Sequence, residues 1–211
     1  MPRKSTAKVS SYHHGDLRNA LVTAGRTVLE RDGVAKLSLR EVARVIGVSH
    51  GAPLHHFASK EALLIAIAAD GFKQLGAVMR DATQLHLTDP LDQFRASAIA
   101  YVRFMHDHPH LMRLMLGGLI PSSFADPELK QASRDAFNVL VDTVKAAQAA
   151  NHVIHGDPMR LAFAAWANVH GTSVLVLEGH YVAEPRANLD VEAVARRAVE
   201  FFYDGVRRRY E

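Results

Sequence analysis

A chain of 211 residues, 48% hydrophobic and 22% charged, is long enough for one large or two small cored domains and has the composition of an ordinary globular protein. The absence of cysteine excludes disulfides, zinc–thiolate sites and a thiol nucleophile, and no apolar run approaches the roughly 18 residues of a membrane span. The net charge of +3 is unevenly divided, because residues 1–60 hold ten Lys and Arg against four Asp and Glu while the remainder sits at −3. Phosphate contact requires a basic balance of this kind.

The opening MPRKSTAKVS lacks the apolar core of a signal peptide, so the expected location is the cytoplasm, with no membrane partner. Arg3, Lys4 and Lys8 in this stretch form either a frayed terminus or a basic arm able to lie along a phosphate backbone. Over residues 16–32, Leu17, Ala20, Leu21, Ala24, Val28 and Leu29 recur at helical spacing, and Gly33 closes the helix.

Residues 38–60 carry the densest set of local signals. Ser38 followed by Glu41 is a capping box, in which the hydroxyl takes an orphan N–H and the carboxylate reaches back. Leu39, Val42, Ala43 and Ile46 form one apolar face, and Gly47 stops the helix by entering the left-handed conformation. Val48 fills the angle that follows, and Ser49 is placed to cap a second helix over residues 50–57. Apart from Leu54 and Phe57 that helix carries small or imidazole side chains, namely His50, Gly51, Ala52, His55 and His56. It therefore buries little on its own protein and permits close approach to another surface. Two helices joined by a short Gly-containing turn are the form that sets a recognition helix in the DNA major groove, although such pairs also occur as plain structure.

A helix capped by Ser59 is expected over residues 60–81, with Leu63, Leu64, Ile67, Phe72, Leu75 and Met79 as its apolar content. It begins within two residues of the second helix, so its tilt must move that helix. Lys60 in its first turn is placed as a natural phosphate contact. Asp-Pro pairs at positions 89, 126 and 157 each set an N-cap carboxylate before a proline whose missing N–H costs nothing there. They start helices over residues 90–107, 127–151 and 158–178. A short helix over 109–116 ends at Gly117-Gly118, and a last one runs from 191 to 209. No stretch alternates with period two.

The expectation is an all-α protein of about nine helices, with a helix-turn-helix DNA-binding domain over residues 1–58 and a larger regulatory and dimerisation domain over 59–211. Between Leu161 and Leu177 only Asn168, His170, Thr172 and Ser173 are polar. A helix apolar all round must be buried all round, either in a deep monomer core or, more economically, in a subunit interface beside the last helix. Trp166 stands one turn before His170, so the two pack together.

Gly47-Val48-Ser49, His56-Phe57 and Lys60-Glu61-Ala62-Leu63 closely resemble the signature of TetR-family regulators, over residues 16–80. Trp166, His170 and Gly171, together with His108-Pro109, Leu114-Met115 and Gly117-Gly118, are similar to the Trp-His-Gly (WHG) C-terminal subclass. The resemblance implies a homodimer whose last two helices pair as a four-helix bundle, with Trp166, His170, Gly171, Val174 and Phe202 at the interface. It also implies double-stranded DNA as partner, read as a palindrome, and a small-molecule effector in a pocket between the middle helices that releases the DNA. By position, Ser49, His50, Gly51, Ala52 and His55 would face base edges, and Ser38, Arg40, His56 and Lys60 would hold phosphates. Leu54 stands where the family usually has a tyrosine that touches phosphate, and Pro53 occupies the fourth helical position. Because a charged imidazole only donates, operator affinity should rise as the pH falls from about 8 to about 6.

Methionines cluster in the segments that would line the pocket, where thioethers fit irregular apolar shapes as well as ordinary cores. An apolar or amphipathic ligand touching Phe72, Met79, Phe94, Tyr101, Met105 and Met115 is the expectation. The run His106-Asp107-His108-Pro109-His110 straddles a helix break and cannot be assumed to converge on a metal. No cofactor is implied, and no G-x-S-x-G, phosphate-binding Gly loop or H-E-x-x-H suggests an enzyme. The alternative function is a DNA-bound adaptor of the same fold that acts through protein partners without a small ligand.

Overall fold

The computed structural model describes residues 14–85, 88–120, 125–180 and 190–207. Arg3, Lys4 and Lys8 of the basic arm, and the expected end of the last helix, lie outside them. Eight α-helices occur among the described residues: α1 (His14–Lys36), α2 (Leu39–Ile46), α3 (Lys60–Gln84), α4 (Pro90–Asp107), α5 (Pro109–Leu116), α6 (Pro127–Ala149), α7 (Pro158–Leu177) and α8 (Val191–Val206). A four-residue 3-10 turn, Ala52–His55, lies between α2 and α3. No strand occurs among the described residues, only an isolated bridge between Val153 and Arg207. The chain divides into two compact units, residues 1–63 and 64–211, a boundary one turn inside α3.

In the first unit the stop signals act where their chemistry requires. Gly33 leaves the helical conformation at φ 76°, ψ 172°, and kinks α1 there. Ser38, in extended conformation, accepts the Glu41 N–H at 3.1 Å and starts α2. Gly47 ends it at φ 72°, ψ 27°, its N–H reaching the Arg44 carbonyl while the Val48 N–H reaches that of Ala43. Glu41 does not complete the capping box. Its carboxylate is held instead by Arg44 and Arg31, at 2.7 and 3.2 Å. Leu21, Val28, Leu29, Leu37, Val42, Ala43 and Phe57 are buried, and the Arg18 guanidinium lies over the Phe57 ring.

In the second unit every long helix after α3 starts on an aspartate. Asp89, Asp126, Asp157 and Asp190 accept first-turn N–H groups at 2.8, 2.8, 2.9 and 3.1 Å. Such caps contribute about 1 kcal/mol each. The central helix is α4, which packs against α5, α6, α7 and α8, while α7 also packs on α6 and α8. α3 comes close to α5 and α6 at two glycines: a Cβ on Gly71 would meet Met115 Sδ at 2.7 Å, and one on Gly76 the Ala136 Cα at 3.3 Å. By length and composition α3 could cross a membrane, but much of its most apolar stretch is buried within the protein.

Within its own chain α7 is buried on one side only. Phe163 is 58% and Leu175 50% exposed, whereas Ala162, Ala165, Val169, Ser173 and Val176 are buried. A deep monomer core for this helix is therefore excluded.

Candidate functional site

Each unit contributes one site. In the first, the segment after α2 is shorter than the expected helix. Hydrogen bonds from Ala52 to Ser49, Leu54 to Gly51 and His56 to Pro53, all 3.0–3.1 Å, wind it as a single 3-10 turn. Pro53 supplies no N–H and Gly51 is a poor helix former, so an α-helix over residues 50–57 does not extend through them. The first helical residue is Ala52 and the N-cap is Gly51, with no side-chain cap bond. Ser49 thus does not cap as expected; its hydroxyl has no hydrogen-bond partner among the described residues.

Pro53 and Phe57 are buried and anchor this turn, leaving its other side to solvent. Ser49, His50, Gly51, His55 and Arg40 are exposed, and Leu54 is 60% exposed. Ser38, Ala52, His56 and Lys60 are half-buried. Gly51 has φ −83°, and an added Cβ would meet nothing within 4 Å, so no neighbour in its own chain demands its smallness. Arg40 has no ion-pair or hydrogen-bond partner among the described residues. Arg44 and Arg31 flank Glu41, and the hydrogen bond from Arg44, followed by that from Arg31, pulls its carboxyl down to about 2. Lys60, expected on a phosphate, donates one of its three protons to the Val34 carbonyl at 2.7 Å.

In the second unit a cavity of about 650 Å³ is walled by residues of α3, α4, α5, α6, α7 and α8. That falls within the roughly 300–1,000 Å³ of small-molecule sites. Of the six expected ligand contacts, Phe72, Met79, Phe94, Tyr101 and Met115 line it. Met105 does not; it is 0% exposed and belongs to the packed core. α4 packs on four neighbours, so its apolar residues meet both core and cavity, and spacing alone cannot separate the two. Phe202, expected at a subunit interface, turns inward instead. It lines the cavity with its ring 6.2 Å from that of Phe94, and the neighbouring Phe201 is the exposed one, at 78%.

Sequence reasoning also missed Phe137, Lys130, Arg134 and Asn168 as wall residues. The i, i+4 spacing of Lys130 and Arg134 was the available signal. Among the described residues no group of three His, Asp or Glu side chains is placed to hold a metal ion.

Trp166 and His170, read as interface residues, join the cavity wall to a hydrogen-bonded chain. The Trp166 Nε1–H donates to the Tyr101 hydroxyl at 3.1 Å, and that hydroxyl lies 2.9 Å from His170 Nδ1. The indole and imidazole stack, 5.4 Å between centroids and 23° between planes. Burial pushes the Tyr101 hydroxyl well above the usual phenol range and pushes His170 down. Both are therefore neutral near pH 7, and a neutral imidazole can take the phenol proton on Nδ1 when its own proton is on Nε2.

An apolar stripe remains uncovered on α7 and α8. Phe163, Ala164, Ala167 and Leu175 are exposed on α7, and Phe201 and Gly205 on α8. Gly171 in mid-α7 and Gly205 have open space where a Cβ would stand. Glycine costs about 0.5–1 kcal/mol against alanine inside a helix, and nothing in the chain itself accounts for it here.

Two family models match. One described as bacterial regulatory proteins, tetR family, covers residues 21–67, and one described as tetracyclin repressor-like, C-terminal domain, covers residues 94–202. An HTH-type transcriptional repressor of Mycobacterium tuberculosis is 34% identical over 71 residues, covering 34% of this chain and 38% of that protein. The HTH-type transcriptional regulator BetI of Rhizobium meliloti is 36% identical over 90 residues, 43% of each chain. The matches thus span less than half the length of these relatives. Among solved structures, a protein of unknown function from Rhodococcus sp. RHA1 is 36% identical with a TM-score of 0.81, covering 94% of this chain and all of that one. The TetR family transcriptional regulator PfmR from Thermus thermophilus shares the fold at a TM-score of 0.64 and 20% identity, covering 89% of this chain and 99% of that one.

Proposed function

Since the chain belongs to the TetR family of bacterial regulatory proteins, we propose that it is a ligand-responsive transcriptional regulator, a repressor that binds a palindromic operator as a homodimer and is released by a small apolar or amphipathic effector. The family and the named relatives are regulators, not enzymes.

The observation that carries DNA binding is the exposed row Ser49, His50, Gly51, Leu54 and His55, presented by a turn whose opposite side is anchored by Pro53 and Phe57. A close-fitting surface of small and imidazole groups suits base edges, and the partner-free Arg40 suits a phosphate. Leu54 offers an apolar contact, such as a thymine methyl.

Dimerisation is supported by the uncovered stripe of Phe163, Leu175 and Phe201 and by the two glycines with vacant Cβ space, which allow another helix to approach closely. The apolar cavity supports an effector. Phe72, Leu75 and Met79 lie on α3, the helix that starts five residues after the 3-10 turn, so a ligand that prefers one setting of α3 biases the DNA-reading element. Selection of bound DNA from a random pool tests this reading. A palindrome with half-sites about one helical turn apart is the expected result. Dispersed sites without symmetry would instead favour an adaptor acting through protein partners.

A further inference from the structure

The cavity has a polarity of its own. Its wall is aromatic and aliphatic, and no carboxylate lines it among the described residues. Two cations do: Lys130 and Arg134, one turn apart on α6 and both exposed, so that they stand where the cavity meets solvent. Among the described residues neither has an ion-pair or hydrogen-bond partner, although acids stand close in sequence. Those acids are engaged elsewhere: Asp126 caps α6, Glu128 pairs with Lys73 at 2.7 Å, and Asp135 takes the Gln131 amide at 2.8 Å. The wall also contains an unmet polar group, since the Asn168 side-chain oxygen is buried with no partner. An apolar cavity open to solvent, two unpaired cations on its exposed rim and an unsatisfied amide in its wall together describe a site for a molecule with a charged head and a long apolar body.

We propose that the cavity binds a single-chain amphipathic anion, its tail among Phe72, Phe94, Phe137 and Phe202 and its carboxylate or phosphate head on Lys130 and Arg134. This rests on the effector reading above and gives that effector a sign of charge. A charge-assisted hydrogen bond to Arg or Lys is worth roughly twice a neutral one, so the head group decides affinity among ligands of equal tail.

Trp166 is the only tryptophan in the chain and lines the cavity, so its fluorescence reports occupancy directly. The full-length protein is titrated with decanoate, decyl phosphate, decanol and decyltrimethylammonium, each below its micellar range. Decanoate or decyl phosphate, or both, should bind at least about tenfold more tightly than decanol, with the cation weakest, and the relative affinity of the two anions identifies the head. Raising the salt should narrow the gap, because the cations are exposed. In a Lys130→Gln, Arg134→Gln double variant the anions should fall to the affinity of decanol. Decanol binding itself should be unchanged, which also verifies an intact cavity. Equal binding of decanol and the anions, or an anion preference that survives the double variant, overturns the charge assignment while leaving an apolar effector in place. If no chain compound binds, the effector reading falls with it.

Discussion

Tyr101 on α4 and His170 on α7 are joined hydroxyl to Nδ1 at 2.9 Å, with the Trp166 N–H closing the chain at 3.1 Å. Tyr101 is 3% exposed, so both bonds are largely shielded from bulk water. Tyr101→Phe removes the middle of the chain and leaves one donor and one acceptor unpaired. The expected cost is about 1–3 kcal/mol of stability in urea denaturation, together with a shifted Trp166 emission.

His170 makes stability depend on pH. Burial lowers its folded-state value below the ordinary 6.5, so the unfolded chain binds the proton more readily. Its contribution is fully present above 6.5 and is lost as the pH falls through the lower folded value. Protonated Nδ1 can no longer accept from Tyr101. The melting temperature should drop between about pH 7 and pH 5, and the drop should be smaller in His170→Gln. Equal drops in the two proteins would assign the dependence to other groups.

Ser38 and Ser49 separate stability from recognition. Ser38→Ala removes the hydroxyl that takes the Glu41 N–H and should cost about 1 kcal/mol. Ser49→Ala removes no hydrogen bond among the described residues and should alter stability by less than about 0.5 kcal/mol. Its effect should appear in operator affinity, measured by fluorescence anisotropy.

Gly47→Ala forces a Cβ into the left-handed region at φ 72° and should cost about 1–2 kcal/mol, although the space around it is open. Gly51→Ala, at φ −83°, should leave stability intact and weaken DNA binding by crowding the approach. A Gly51→Ala variant that unfolds early would contradict the assignment of this glycine to an external surface.

Phe201→Lys places a charge on the uncovered stripe and should convert a dimer to monomer in sedimentation velocity without changing helix content. Phe202→Lys should instead destabilise the protomer, because that ring packs beside Phe94 in the cavity wall. Monomeric wild-type protein at micromolar concentration would remove the interface reading altogether.

Local chemistry determined the helices of this protein. Capping aspartates and serines, Asp-Pro starts and glycine stops act within about four residues of one another, so α2, α4 and α5 begin and end where the sequence places them. The same locality makes Gly47 and Trp166 against His170 legible. The 3-10 turn was the exception, since the helical period of its neighbourhood concealed how Gly51 and Pro53 together shorten it. The faces of the helices were another matter, and only the tertiary structure decided them. Phe201 and Phe202 are adjacent and equally apolar, yet one faces solvent and the other the cavity; Met105 and Tyr101 share a helix face, yet only Tyr101 reaches the wall. Apolar side chains carry no directional signal in their own chemistry. Which of them meets a core, a cavity or another molecule depends on neighbours far away in sequence, and those neighbours exist only once the helices have packed.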